Sequence, residues 1–364
     1  MLSAELGSYA RGTHTLHSAL IMTIAHHHAA IIGAGPIGIE LAVAMKQAGI
    51  DYVHFDAGQI GTTIAWYPIQ MLFHSSAERL SLAGVPIQEP MQQKPTREEY
   101  LAYLRAVVMQ FGLSIRTYER VELATRAPGG GFELRTRAVD GEHRFRVDNV
   151  VLAVGAMHAP RMLGIPGEEL PHVHHYFRDP HDYFAKKLLV VGGRNSGIEA
   201  AVRCQRAGAD VTLSHRGADF DPKSVKFWLL PEIRSMIRDD RVRYLPQTCP
   251  VEIGPGTVRL VSMANGNEQI VAADFVLAMT GYRQATPLFD MLGVEMEGRD
   301  RKPRYDPQTM ETNVPGVFIA GTAIAGTPVE RVSVIVETCH VHVPRIVGAI
   351  TGRRVVTVDG PTDD

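Results

Sequence analysis

Two glycine-rich turns hold the residues of this sequence best suited to chemistry. The first, Gly33-x-Gly35-x-x-Gly38, follows a short apolar run and opens a second one that begins Pro36-Ile37. Gly33 permits a tight turn, Gly35 lets a diphosphate approach the backbone, and Gly38 lets helix and strand pack closely. The free N–H groups of a helix start then face the anion. Asp56 closes the next apolar run, where a carboxylate accepts bonds from ribose hydroxyls. Strand, turn, helix and acid stand in register, and together they predict a dinucleotide site.

The second turn reads Gly192-Gly193-Arg194-Asn195-Ser196-Gly197. Arg194 replaces the usual central glycine, while Asn195, Ser196 and the helix start still offer donors. The following strand ends in His215 and Arg216, with no acid at the ribose position. A carboxylate there would repel a 2′-phosphate, whereas Arg216 can grip one through two parallel bonds. The second turn is therefore expected to take NADPH rather than NADH. Lys223 and Lys226 can add charge to the same pocket.

Both turns lie in βαβ units of one grammar, residues 29–56 and 187–216, and both helices stop at an Ala-Gly pair. This duplication predicts two nucleotide sites in one chain. Gly-rich and Asp-Gly punctuation after each unit predicts hairpins. Each β-rich stretch then closes on a buried strand ending in glycine, at Gly155 and at Gly281. A late strand, GVFIAG, ends at Gly321 and precedes a helix-like run over 329–350. The expected fold is α/β: two Rossmann-like, three-layer ββα dinucleotide-binding domains, the NADPH domain inserted into a discontinuous FAD domain. The boundaries read as an extension over 1–28, an FAD domain over 29–158 and 284–350, an NADPH domain over 159–283, and a tail over 351–364. FAD goes to the first unit because, in flavoproteins with two dinucleotide domains, a late strand and helix return to cover the flavin.

Composition sets the outer limits. The 364 residues are 45% hydrophobic and 21% charged with net charge −2, so two ordinary globular domains are expected. No broad basic field exists to hold nucleic acid, and no long apolar run predicts a membrane span. Cys204, Cys249 and Cys339 form no CxxC pair and no metal-ligand spacing, which fits a reducing cytoplasm. His26, His27 and His28 point in different directions as consecutive residues. They read as surface histidines before the first strand, so no metal is expected. The residues before Met22 make a poor signal peptide and read as a loose extension or an upstream start.

The chain resembles thioredoxin-reductase-like flavoproteins, and among them the bacillithiol disulfide reductase family. Besides the two turns, the resemblance rests on FHSSAERLSLAGVPI (73–87), GIPGEELPHVHHYF (164–177), VVGGRNSGIEAA (190–201) and SVKFWLLP (224–231). It implies non-covalent FAD, NADPH as donor and a homo-oligomer in the cytoplasm. It places Ser75 and Ser76 near the flavin and Gly155 at the domain crossing. Two positions depart from the family pattern. Ile37 stands where members that reduce the disulfide carry a cysteine, and Thr322 follows Gly321 where related flavoproteins place an aspartate on the ribityl chain. Cys339, in a helix with Glu337, His340 and His342, is the other candidate redox residue. The expected activity is NADPH-dependent reduction of FAD, with electrons passed on to a low-molecular-weight disulfide, a redox protein or a quinone. Alternatives are a flavin monooxygenase, suggested by His174, His175 and Tyr176 in the crossing, and a nucleotide-binding redox sensor without turnover.

Overall fold

The computed structural model describes residues 24–89, 92–327 and 334–353. The expectations about the segment before Met22, the start of the helical run at Val329 and the tail beyond residue 353 lie outside the described residues.

β1 (Ala25–Ile32) buries its last four residues completely, as a central parallel strand must. α1 (Pro36–Gln47) starts on proline, whose missing N–H costs nothing at a helix start, and Gly49 turns left-handed at φ +70° beyond its end. β2 (Tyr52–Phe55) returns parallel to β1. Two short helices, α2 (Thr62–Ala65) and α3 (Ala77–Leu80), lead to α4 (Arg97–Gln110), which opens on a Thr96–Glu99 capping box. β3 (Arg120–Arg126), β4 (Phe132–Ala138) and β5 (Gly141–Leu152) form an antiparallel meander, and β5 then runs parallel beside β1.

The chain leaves through β6 (Ala159–Pro160) and β7 (Val173–His174). The grammar repeats in β8 (Lys187–Val191), α5 (Asn195–Arg206) and β9 (Asp210–His215), followed by α6 (Leu229–Arg238) and β10 (Val242–Pro246). A three-stranded antiparallel sheet of β11 (Thr248–Gly254), β12 (Thr257–Ser262) and β13 (Glu268–Ala272) precedes β14 (Phe275–Ala278), which lies parallel to β8. The order of the parallel sheet is β10-β9-β8-β14-β7.

β15 (Tyr282–Arg283) pairs antiparallel with β6, so the outgoing and returning chains form a two-stranded strap. α7 (Pro287–Leu292), the small pair β16 (Met296–Glu297) and β17 (Lys302–Pro303), and β18 (Val317–Ile319) complete the return. β18 joins β5 in the first sheet, whose main order is β2-β1-β5-β4-β3. α8 (His342–Thr351) packs on α1. Each domain has its own apolar core, and the second domain is inserted into the first.

Two elements differ from the sequence reading. β1 opens at Ala25, so the three histidines lie inside the strand and alternate across it. His26 and His28 reach Asp148 at 2.9 and 3.0 Å, and His27 reaches Asp51 at 3.0 Å. These carboxylate partners explain how polar residues extend an apolar strand, and the described residues contain no metal-binding cluster. The late helical run is also shorter. Residues 336–338 form one 3₁₀ turn, and α8 starts only at His342. Pro344 has no N–H to donate, so it must sit in a first helical turn. Cys339, Glu337 and His340 therefore lie outside the helix that holds His342.

At Gly38 a Cβ would fall 2.0 Å from the Gly33 carbonyl oxygen, which is backbone and cannot swing away. Gly38→Ala should destabilise the first domain by about 2 kcal/mol or more, read by denaturant unfolding of the cofactor-free protein. A variant as stable as wild type would show that α1 can shift freely against β1.

Candidate functional site

The first cradle forms where β1, β5 and β18 end. Gly33, at φ +111°, presses against β5: a Cβ there would lie 2.4 Å from the Ala153 carbonyl oxygen. Gly35 is extended and faces open space, with nothing within 4 Å of where a Cβ would stand. That opening lies at the N-terminus of α1, where a diphosphate can approach the backbone. Asp56 already accepts from Ala34 N at 2.7 Å and from Gly58 N at 2.8 Å, one bond to each oxygen. Each oxygen keeps a lone pair for a ribose hydroxyl. Burial holds this carboxyl above its ordinary range, while the two backbone bonds pull it down.

The far side of the cradle brings Ile37, Gly155, Gly321 and Thr322 together. A Cβ on Gly155 would meet Thr322 Oγ1 at 3.6 Å, and one on Gly321 would meet Ile37 Cβ at 3.3 Å. The Gly321 N–H donates to His342 Nδ1 at 3.1 Å. Pro36 is the first residue of α1. Ser75 is half-buried and Ser76 exposed just before α3. Buried His54 donates from Nε2 to the Gly33 carbonyl at 3.0 Å and buttresses the turn, a role the sequence reading missed. Its signal was a lone polar residue in the apolar run Tyr52–Phe55, which needs a partner when buried.

No reactive thiol takes the place of Ile37. Cys339 is fully buried and donates to the Ile335 carbonyl at 3.1 Å, and burial pushes its thiol up to about 12. Cys204, buried in α5, is likewise pushed up to about 12 by burial. Cys249 lies on β11 of the second domain. His340 bonds Glu40 at 2.7 Å and the Arg79 carbonyl at 3.1 Å, tying α1 to α3, and the Glu40 bond raises its pKa.

The second cradle repeats the first. Gly192, at φ +136°, presses on β14, where a Cβ would lie 2.4 Å from the Met279 carbonyl oxygen, and a Cβ on Gly197 would strike Gly192 O at 2.2 Å. Arg194 caps α5 in extended backbone, as Gly35 caps α1, so its side chain brings no backbone strain. The Asn195 Oδ1 accepts from Lys226 N at 2.8 Å and so anchors the loop ahead of α6, while Ser196 is exposed on the first turn. His215 is a neutral floor. Its ring stacks on Phe220 at 5.7 Å, fills the space beside Gly193, and has its pKa lowered by burial first and then by Arg216. Arg216 is exposed at the rim. Lys226 lies over Trp228 at 5.9 Å and beside His74 of the first domain, whose pKa falls to about 4 through burial, then Lys226 and Lys94.

Side chains that no local pattern could reveal brace the segments around the two cradles. Gln284 donates to the carbonyls of Gly155 at 3.0 Å and Ala323 at 2.8 Å. Arg203 of α5 donates to Ile69 O at 2.6 Å. Tyr176 packs against Trp66 at 5.4 Å and Tyr282 at 5.7 Å, and His174 bonds Tyr183 at 2.8 Å. Of the crossing residues that suggested a monooxygenase, Tyr176 packs against the first domain through Trp66, and His174 bonds within the second domain.

Two glycine turns with open helix starts on two Rossmann-like domains are the frame of a dinucleotide-dependent flavoprotein oxidoreductase. The model of the pyridine nucleotide-disulphide oxidoreductase family matches residues 30–321, and the chain belongs to that family. It is 34% identical over 327 residues to bacilliredoxin reductase Bdr of Bacillus subtilis (strain 168), covering 89% of this chain and 98% of that protein. Bacillithiol disulfide reductase Bdr from Bacillus cereus superposes with a TM-score of 0.85 at 32% identity, covering 90% of this chain and 99% of that one. A ferredoxin–NADP reductase of Ignicoccus hospitalis (strain KIN4/I / DSM 18386 / JCM 14125) is 28% identical over 80% of this chain and 88% of its own length. The chain is accordingly an NADPH-dependent enzyme with FAD and NADPH as cofactors.

His342, buried at the Gly321 contact, has its pKa lowered from 6.5 to about 4, by burial first. The unfolded chain therefore takes up this proton before the folded one does. Stability is full above about pH 6.5 and is lost as pH falls towards 4. His342→Asn keeps an acceptor for the Gly321 N–H without the titration. Its thermal stability should fall less steeply than wild type between these pH values; parallel curves would reject the assignment.

Proposed function

We propose that this enzyme reduces a small-molecule acceptor with NADPH and uses no protein thiol as relay. FAD, when bound, supplies the two-electron carrier between NADPH and that acceptor. Gly33, Gly35, Pro36 and Gly38 would hold its diphosphate at the start of α1, with Asp56 on the ribose. Ile37, Ser75, Ser76, Gly155, Gly321 and Thr322 would line the rest of its site. The fit rests on the open space at Gly35 and the spare lone pairs of Asp56. For NADPH, Gly192, Arg194, Asn195 and Ser196 would receive the diphosphate, with Arg216 and Lys226 supplying charge and His215 the floor.

One observation carries the reading. Ile37, not a cysteine, stands in the first glycine turn against Gly321, while burial raises the thiol pKa of Cys339 and Cys204 to about 12. Attack on a disulfide needs a thiolate, and neither offers one near neutral pH. The chain's own work is then to hold two nucleotides in fixed register and keep the acceptor's approach apolar at Ile37. A low-molecular-weight disulfide is the first acceptor to test, given the names of the Bacillus relatives. One NADPH and one proton would yield NADP⁺ and two thiols. The same proposal places the enzyme in the cytoplasm as a homo-oligomer.

Iodoacetamide treatment should leave NADPH-driven turnover within about twofold of the untreated enzyme, since Cys204 and Cys339 are buried and the part-exposed Cys249 lies on β11, away from the first glycine turn. Abolition of turnover by the reagent would restore a cysteine relay. Anaerobic NADPH should bleach the yellow protein; persistent colour would leave a binding protein without turnover. Screening disulfides, quinones and ferredoxin-like proteins for NADPH consumption then names the acceptor. Arg216→Ala should raise the KM for NADPH by about tenfold and leave that for NADH little changed. Equal effects on the two nucleotides would refute the 2′-phosphate role.

A further inference from the structure

Gln284 directly follows β15, where the strap re-enters the first domain, and only 5% of it is exposed. Its main-chain N–H donates to Thr327 Oγ1 at 2.9 Å, and the N–H of Ala285 donates to His158 Nδ1 at 3.2 Å. Its side-chain Nε2 commits both hydrogens, to the Gly155 carbonyl at 3.0 Å and the Ala323 carbonyl at 2.8 Å. The two carbonyls fix which way the amide faces, since turning it over would set Oε1 against two other acceptors. Backbone bonds at one end and amide bonds at the other therefore hold Oε1 in one place. That oxygen is sealed from bulk water, and no donor among the described residues bonds it.

We propose that Gln284 Oε1 accepts a hydrogen bond from a ribityl hydroxyl of FAD, which makes the strap part of the flavin site. This rests on the proposed placement of FAD in the first cradle. A buried acceptor without a donor is uncommon in a folded protein and calls for a partner. The groups that Nε2 holds show which partner comes within reach. A Cβ on Gly155 would lie 3.6 Å from Thr322 Oγ1, and Ala323 is the residue after Thr322. Gly155 and Thr322 are among the residues that would line the FAD site beyond the diphosphate. Between the diphosphate and the flavin ring of FAD runs the ribityl chain, a row of hydroxyls that lose water on entering a buried site and need acceptors there.

The neighbouring acceptors already have work. The carbonyls of Gly155 and Ala323 take the hydrogens of Nε2, and His342 Nδ1 takes the Gly321 N–H. Asp56 holds the amides of Ala34 and Gly58 at the far end of the cradle, where it would meet the adenosine ribose. Ile37 is apolar. Thr322 Oγ1 is the one competitor that the same wall presents. A neutral carboxamide oxygen suits a neutral hydroxyl, and an acceptor already fixed in place adds affinity without a further ordering cost. The hydrogens of Gln284 thus brace the two segments beside the flavin, and its oxygen fastens the flavin to them.

Flavin exchange tests this without any turnover. Holoenzyme is equilibrated with mixtures of FAD and its 2′-, 3′- or 4′-deoxyribityl analogue, and the bound flavins are counted after desalting. Wild type should prefer FAD over one of these analogues by about tenfold. Gln284→Met should cut that preference to within about twofold. Gln284→Asn, which keeps the amide hydrogens and draws the oxygen back by one methylene, should do the same and serves if the first variant does not fold. Wild type without a preference, or a full preference surviving in the variants, overturns the inference; the second result would hand the hydroxyl to Thr322. Asp56→Ala checks the placement of FAD separately. It should release FAD at least about tenfold faster and keep the hydroxyl preference. Unchanged FAD release there would remove FAD from the first cradle, and the inference would go with it.

Discussion

Backbone pressed against backbone at the two glycine turns is the constraint on which the rest depends. At Gly33 and at Gly192 a carbonyl oxygen of the neighbouring strand occupies the place a Cβ would take. Hydrogen is the one substituent that lets the turn close there. Closure sets where each helix begins, and each helix start aims its free N–H groups at one point. The strands that press, β5 and β14, are the ones that lead to the domain crossings. A cradle and the passage beside it are consequently one mechanical unit.

The two cradles share a backbone and differ in charge. At the end of the second strand the first offers Asp56, tied into its loop by two amide bonds, and the second offers Arg216 over a neutral His215. A carboxylate suits ribose hydroxyls and an exposed guanidinium suits a phosphate. Arg194 follows the same logic. In the first cradle the position of Gly35 has free space and ordinary extended backbone, so nothing in the fold demands glycine there. An arginine at the matching point of the second would, in the proposed reading, exchange closer backbone approach for a charge-assisted contact.

What was legible in the sequence followed from local rules. Glycines at fixed spacing, Ala-Gly helix stops and the contrast of Asp56 with Arg216 each act within a few residues of themselves. What stayed hidden depends on distant partners. His26, His27 and His28 read as loop because the carboxylates that admit them to β1, Asp148 and Asp51, come from elsewhere in the chain. His54, Gln284 and His342 gain their roles only when the carbonyl or amide they serve is brought from another segment. The late helix was overextended because its apolar pattern continues through residues that Pro344 excludes from a helical turn.

The apolar Ile37 in the first glycine turn bears on how the site is shielded as well as on what it can attack. Ile37 packs against Gly321, whose N–H is held by a histidine that burial keeps neutral. A thiolate at that spot would need a donor or a cation to lower its pKa. The groups around it are instead an apolar side chain, a glycine and a neutral imidazole. An apolar side chain in the turn and its apolar, neutral surroundings agree with each other.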